Sequence, residues 1–187
     1  KTNKLGVTNN VVDDIRQAIL KKDELETIFD LLIAEKGGGG GIYFLMSDEN
    51  IVKKIRTPWI SFCTDEDAYK TSGLMSKRNP HPRAYGTFPR ILGKYVREEK
   101  VISLPKAIRK MTSLPASNLG LKDRGLIREG MAADLVIFDA ERVIDKADYT
   151  NPHQYPEGIS HVIVNGKVVV FNGEHTGRKP GKAIFKN

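Results

Sequence analysis

Hydrophobic positions in the first part of the chain recur with the period of an α-helix. Between residues 11 and 35, Leu25, Ile28 and Leu32 lie three and four positions apart, so a helix would carry them on one face. A run of five glycines at 37–41 follows. Because neither a helix nor a strand tolerates such a run, we predict a flexible loop there.

Two short apolar runs with a helical pattern between them come next. Residues 42–46 and 59–63 read as buried strands, and residues 48–55 read as a helix with acids in its first turn and bases in its last. Ser47 is a suitable N-cap, and Pro58 ends the helix. Strand, helix and strand in this order predict one unit of a parallel sheet.

The middle of the chain first loses and then regains periodicity. Residues 66–87 are rich in Ser, Gly, Pro and Asn, which predicts a long irregular loop of the kind that often carries function. Residues 88–100 and 103–112 have helical patterns, and Ser103 is the expected cap of the second helix.

From residue 120 the pattern becomes that of β-structure. Residues 133–138 read as a strand, and 161–171 read as a hairpin, because two β-branched runs flank Asn165-Gly166. Asn-Gly favours a type I′ turn. A second Asn-Gly pair at 172–173 predicts another turn. The change near residue 120 therefore divides the chain into an α/β part, 1–119, and a small all-β part, 120–187.

Composition excludes some classes of protein. The apolar share of 40% is enough for a packed core, but no run of about 18 apolar residues predicts a membrane span. The net charge of +7 comes from dispersed basic residues, which we interpret as solvated surface and not as a nucleic-acid site. The single cysteine, Cys63, excludes an intrachain disulfide.

The opening Lys1-Thr2-Asn3 has neither an initiator Met nor an apolar signal core behind it, and we interpret it as the interior of a longer chain. Cytoplasm and periplasm both remain open as compartments, and so does the oligomeric state.

Two segments carry a resemblance to a known family. Residues 81–98, His-Pro-Arg-Ala-Tyr-Gly-Thr-Phe-Pro-Arg-Ile-Leu-Gly-Lys-Tyr-Val-Arg-Glu, resemble the signature of bacterial N-acyl-D-amino-acid deacylases, the D-aminoacylases. Residues 125–138, with Val-Asn-Gly-Lys at 164–167, are similar to the C-terminus of amidohydrolases in general. This resemblance implies the α/β fold class: the C-terminal part of a (β/α)8 TIM-type barrel, followed by strands of a small β-sandwich.

On that resemblance, residues 42–46 are barrel strand seven and residues 59–63 are strand eight. Asp65 then follows the last strand, at the end of the barrel where active sites lie. The family implies that such an aspartate contacts zinc and transfers a proton. The family pattern is usually Ser-Asp-Gly, whereas this chain has Thr64 before the aspartate and Glu66 after it, a departure that bears on the substrate subclass.

The substrate implied by the family is an N-acyl amino acid or a related amide, and its carboxylate needs a cation. Arg83 suits that role because a guanidinium binds a carboxylate through two parallel hydrogen bonds. The alternative is that Arg83 pairs with a loop acid such as Asp65 or Asp67. His81 would either bind the substrate carboxylate or fix the loop.

The acids of this loop also have a purely structural interpretation. An aspartate after a strand, such as Asp65, is often a cap or turn residue, and the resemblance is what favours a catalytic role for it. Glu66 and Asp67 are interpreted as loop surface and not as ligands.

The metal ligands are the weak point of the enzyme interpretation. The chain has four histidines, none of which are spaced two, three or four positions apart: His81, His153, His161 and His175. We therefore expect most zinc ligands in an N-terminal half of the same protein, upstream of this chain, and expect the chain to be inactive alone. The alternative function is a non-catalytic β-rich binding or assembly module.

Overall fold

The computed structural model describes residues 24–34, 36–37 and 46–184. The chain divides into two compact units, Lys1–Ser47 and Asp48–Asn187. The boundary predicted near residue 120 stays a prediction. None of the helices in the described ranges combines the length and the apolar composition of a membrane span.

In the first unit, helix α1 spans Glu24–Ala34. It is followed by a turn in which the N–H of Gly37 donates to the Leu32 carbonyl at 2.8 Å. This helix lies within the predicted helix 11–35. The rest of that prediction, the glycines after Gly37 and residues 42–45 of the predicted strand seven lie outside the described residues.

The second unit begins with helix α2, Asp48–Arg56, which confirms the predicted helix 48–55 to within one residue. Residues 59–63, predicted to be strand eight, are not a strand. The N–H of Phe62 donates to the carbonyl of Lys110 at 3.0 Å, a residue in a helix. A strand exists only through hydrogen bonds to a neighbouring strand, and the described residues offer this segment no parallel partner.

Lys110 ties this segment to the end of α2. Its ammonium donates to the carbonyls of Ile55 at 2.7 Å and Thr57 at 2.5 Å, and it lies 5.0 Å from the centre of the Phe62 ring. The residue is only 2% exposed. The last carbonyls of a helix lack partners within the helix, so this buried cation takes the role of a C-terminal cap.

The predicted loop 66–87 is shorter than expected, and it contains a 3₁₀ turn at Leu74–Lys77. Helix α3 spans Arg83–Arg90 and continues as a π-helix over Ile91–Glu98, so the predicted start at residue 88 is wrong. The usual Ser, Thr, Asp or Asn start signal is absent. Instead, the N–H of Arg83 donates to Nδ1 of His81 at 3.0 Å.

The remaining helices are α4, Leu104–Met111, and α5, Ser113–Asn118. The first confirms the predicted helix 103–112 to within one residue at each end; Ser103 stands at the N-cap position, but its side chain makes no capping hydrogen bond. The hydrophobic core of the unit lies between α2, the π-helix and α4. Its buried members are Ile55, Ile91, Tyr95, Ile102 and Ala107.

The loop between the first two strands, residues 139–158, packs directly on the π-helix. A Cβ atom at Gly93 would lie 2.5 Å from Cδ1 of Ile144 and 2.8 Å from the carbonyl oxygen of Val143, so only glycine fits there. Arg97 donates from Nη1 to that same Val143 carbonyl at 2.6 Å. These contacts join the helices to the β-structure.

The described strands form one antiparallel sheet in the order β1-β2-β3-β4. The predicted strand and hairpin are confirmed. Asn165 and Gly166 have φ angles of 46° and 72°, as a type I′ turn requires. A second layer of a sandwich is not among the described residues. The strands are β1, Leu135–Phe138; β2, Ile159–Val164; β3, Lys167–Phe171; and β4, Glu174–His175.

Candidate functional site

The loop after residue 63 meets the first turn of α3 around the guanidinium of Arg83. Oδ2 of Asp65 lies 3.2 Å from Nη2 of Arg83, and Oε2 of Glu66 lies 3.3 Å from Nε. Nε and Nη2 form one edge of the guanidinium, and the two carboxylates share that edge. We call Asp65, Glu66 and Arg83 the Arg83 cluster.

Asp65 has an unusual backbone and an open side chain. Its φ angle of 49° lies in the left-handed region, which Asp tolerates better than most residues with a side chain. Its side chain is 80% exposed. Among the described residues, Arg83 is the one partner of this carboxylate, which is otherwise open to a ligand from the solvent side.

Glu66 has the opposite surroundings. Its side chain is 17% exposed, and its second oxygen accepts a hydrogen bond from the hydroxyl of Tyr69 at 3.3 Å. Partial burial and the carboxylates of Glu66 and Asp67 raise the pKa of the Tyr69 phenol, so it stays a donor. The interpretation of Glu66 as loop surface is wrong. The signal available in the sequence was its departure from the family's glycine.

His81 is neutral and holds the start of α3. Because Nδ1 accepts the N–H of Arg83, the ring proton is on Nε2, which lies 3.1 Å from the hydroxyl of Tyr149. Burial lowers the pKa of His81, the Arg83 cation lowers it further, and Glu66 opposes both. Both nitrogens are thus engaged in fixing the loop, which is one of the two alternatives considered for this residue.

A second imidazole–phenol pair also joins the first turn of α3 to the loop 139–158. The hydroxyl of Tyr85 is 3.0 Å from Nδ1 of His153, and Nε2 of His153 is 2.7 Å from the carbonyl of Arg78. Only a ring N–H can donate to a carbonyl, so in the neutral imidazole Nδ1 is left to accept from the Tyr85 hydroxyl. Tyr149 and His153 come from the loop 139–158, and sequence reasoning missed both because they lie far from the motif along the chain.

The structure thus brings the three predicted site residues together: Asp65, His81 and Arg83. The pairing of Arg83 with a loop acid, considered as the alternative to substrate binding, is present. It does not exhaust the guanidinium, which has five N–H donors, of which these two contacts use two. The catalytic and binding roles of the three residues stay predictions.

Asp65 is also the predicted metal ligand. Within residues 24–34, 36–37 and 46–184, no group of three or more His, Cys, Asp or Glu side chains could hold a metal ion. Zinc needs three or four such ligands at bonding distance. The described side chains therefore fit proton transfer and carboxylate binding, and they do not make a metal site by themselves.

Comparisons with known proteins agree with the motifs. Residues 74–170 match the model of the amidohydrolase family. The chain is 41% identical over 153 residues to an N-acyl-D-aspartate deacylase from Alcaligenes xylosoxydans xylosoxydans. The match covers 81% of this chain and 29% of that protein, so the chain spans less than a third of the length of this relative.

Solved structures give the same result. A D-aminoacylase is 32% identical with a TM-score of 0.74, over 88% of this chain and 32% of that one. An N-acyl-D-glutamate deacylase from Bordetella bronchiseptica, complexed with zinc and a phosphonate inhibitor that mimics the tetrahedral intermediate, is 31% identical with a TM-score of 0.71. That match covers 87% of this chain and 33% of the other.

Proposed function

The chain belongs to the amidohydrolase family, and from that premise we propose that it is the C-terminal part of a metal-dependent deacylase of N-acyl-D-amino acids. By the full-length protein we mean this chain joined to an upstream segment like that of the relatives, of which it covers 29%. The observation that carries the proposal is the meeting of Asp65, His81 and Arg83. Asp65 is the proposed proton carrier and Arg83 the proposed carboxylate receptor, and His81 holds the backbone of Arg83.

The fold proposed for the full-length protein is a (β/α)8 barrel with an attached β-sandwich. Its support is the likeness to the structures of a D-aminoacylase and an N-acyl-D-glutamate deacylase over most of this chain. In this fold residues 42–46 are strand seven, and residues 59–63 become strand eight once the upstream strands supply their hydrogen-bonding neighbours. Asp65 would then lie at the carboxyl end of the last strand, at the mouth of the barrel.

Zinc is the proposed cofactor, in line with the zinc complex of the similar N-acyl-D-glutamate deacylase. Asp65 would supply one ligand and the upstream segment the others, since the described residues hold no cluster of ligands. When bound, such a metal lowers the pKa of a coordinated water and polarises the substrate carbonyl. The remaining steps belong to side chains of this chain.

The exposed Asp65 carboxylate is the proposed proton carrier. It accepts a proton from the water that attacks the amide carbon, and it returns the proton to the leaving amine as the C–N bond breaks. Its left-handed backbone and open side chain support this role because they leave the carboxylate accessible. Arg83 is within 3.2 Å of the same carboxylate. A bound N-acyl amino acid can therefore contact both Asp65 and Arg83.

Arg83 is the proposed receptor for the carboxylate of the N-acyl amino acid. A guanidinium binds a carboxylate in a planar fork, and an ammonium does not. His81 was predicted to bind substrate too. Its two engaged nitrogens support the other alternative, in which it fixes the backbone of Arg83.

The test is hydrolysis of N-acetyl-D-amino acids by the purified full-length protein, with the L-enantiomers as the matched control. We expect release of the free D-amino acid, loss of activity with a chelator and recovery with zinc. Equal hydrolysis of both enantiomers would contradict the D-amino-acid assignment. If a chelator removes all metal from the protein and the activity is unchanged, the proposed metal dependence is contradicted.

A further inference from the structure

We propose that Glu66 is a positioning residue that fixes the guanidinium of Arg83 through Nε and thereby presents its free edge to the substrate carboxylate. This inference rests on the function proposed above, because it assumes that Arg83 receives that carboxylate. It gives a role to the residue at which the sequence departs from the family's Ser-Asp-Gly pattern.

The two carboxylates on Arg83 differ in their surroundings and not in their distances. Asp65 and Glu66 lie 3.2 and 3.3 Å from the guanidinium. The Asp65 side chain is 80% exposed, whereas that of Glu66 is 17% exposed and is also held by the Tyr69 hydroxyl at 3.3 Å. An ion pair that is shielded and held at both oxygens is stronger than one in solvent. Glu66 is therefore the fixed partner and Asp65 the exchangeable one.

The geometry of the guanidinium then determines where a third carboxylate can bind. Nε and Nη2 form the side edge, which Glu66 and Asp65 occupy. Nη1 and Nη2 form the end edge, which is the other planar fork that accepts a carboxylate through two hydrogen bonds. A contact at Nε limits rotation of the group, so the end edge keeps one direction. Such preorganisation lowers the entropic cost of binding.

Arg83 is held at its other end as well. Its backbone N–H donates to Nδ1 of His81, and the carbonyl of Arg83 accepts the Thr87 hydroxyl at 2.9 Å. With the backbone fixed by the helix start and Nε fixed by Glu66, the long side chain is constrained at both ends. The side chain of Arg83 is 41% exposed, which leaves room for a ligand on the remaining edge.

The charge of Glu66 has a competing effect that a test must separate. A resident anion weakens the attraction of Arg83 for a second anion, so removing Glu66 would strengthen binding if charge were its only influence. Glu66→Gln removes the charge but keeps an oxygen that can accept from Nε. Glu66→Ala removes both. For an anchor, only Glu66→Ala therefore weakens binding of the acid, whereas for a competing charge both variants strengthen it.

The experiment is steady-state kinetics of the full-length protein on an N-acetyl-D-amino acid and on its carboxamide, which lacks the carboxylate. We expect Glu66→Ala to raise KM for the acid at least about tenfold with kcat changed less than about threefold, and to leave the carboxamide unaffected. Glu66→Gln stays within about threefold of wild type. A merely structural role would lower kcat/KM for both substrates alike.

Glu98 provides the matched control. It pairs with Nη2 of Arg97 at 3.1 Å and is 56% exposed. Glu98→Ala therefore breaks an Arg–Glu pair outside the Arg83 cluster and should leave KM and kcat for both substrates unchanged. If Glu66→Ala fails to fold, Tyr69→Phe removes only the donor to Glu66. It should raise KM for the acid about two- to fivefold and spare the carboxamide.

The outcomes are distinct. A lower or unchanged KM in Glu66→Ala, or equal losses in the Ala and Gln variants, overturns the anchoring role while leaving the deacylase intact. A Tyr69→Phe variant whose KM for the acid is unchanged also contradicts the anchoring role of Glu66. A wild-type protein that hydrolyses no N-acetyl-D-amino acid overturns the proposed function, and this inference with it.

Discussion

At the scale of single residues, Asp65 is the proposed proton carrier, and its side chain is accessible from solvent. It is the exposed carboxylate of the Arg83 cluster and lies 3.2 Å from the guanidinium. Asp65→Asn keeps the shape of the side chain but removes its capacity to carry a proton. In the full-length protein we expect kcat to fall at least about a hundredfold, the scale of lost acid–base catalysis.

Asp67→Asn is the control for that substitution. Asp67 lies two positions away in the same exposed loop, and it is not among the residues that contact Arg83 in the described structure. Its kcat should remain near that of the unmodified protein. An Asp65→Asn variant with near-normal turnover would remove Asp65 from the mechanism.

Arg83 gives a second prediction at this scale. Arg83→Lys keeps the positive charge but loses the planar fork and its contacts to Asp65 and Glu66. We expect KM for the N-acyl amino acid to rise with kcat less affected, because the lost contact binds substrate and transition state alike. The measurement is steady-state kinetics on the full-length protein. Hydrolysis of an N-acyl amine without any carboxylate at the same efficiency would show that Arg83 has another role.

At the scale of elements, the buried ammonium of Lys110 joins two helices. It donates to the carbonyls of Ile55 and Thr57, so Lys110→Met would leave both without this donor. We expect the free energy of unfolding to fall by about 2 to 3 kcal/mol, as for loss of a buried, charged hydrogen bond. Urea unfolding of the full-length protein measures it.

Lys106→Met is the matched control because Lys106 lies in the same helix, α4, but is exposed. It should change the free energy of unfolding by no more than about 0.5 kcal/mol, as surface substitutions usually do. Equal losses in the two variants would mean that the contacts of Lys110 do not stabilise the end of α2.

Elements whose signals are local were predictable from the sequence. The hairpin of β2 and β3 follows from β-branched runs around Asn165-Gly166, and α2 follows from its charge pattern and from Pro58. The start of α3 was not predictable because its N-terminal partner is a histidine, His81, for which no general signal exists. The error at residues 59–63 has another cause, because a strand requires a hydrogen-bonded neighbouring strand and the described residues supply none to this segment.

At the scale of the whole molecule, the site was predictable only in part. The motif at 81–98 and the position after 59–63 selected Asp65, His81 and Arg83, which the structure brings together, while their roles stay predictions. Glu66, Tyr149 and His153 were missed since their roles arise from tertiary contacts with Arg83, His81 and Tyr85. The described residues hold no group of zinc ligands, and the proposal assigns most of those ligands to an upstream segment.

The surface of the second unit fits a part of a larger protein. In β1, which lies at one edge of the described sheet, Val136 and Ile137 are 54% and 52% exposed. Exposed apolar residues on an edge strand promote association with another chain. We therefore expect the chain alone to aggregate or to survive by pairing, and expect the upstream segment to make it soluble.

The measurement that tests the central claim most directly is zinc content together with deacylase activity, made on the full-length protein and on the isolated 187-residue chain. We predict bound zinc and hydrolysis of N-acetyl-D-amino acids by the full-length protein, and neither from the chain alone. A full-length protein without metal or activity would favour the non-catalytic module. Stoichiometric zinc and turnover from the isolated chain would contradict the account, because its site would then consist of residues other than those proposed.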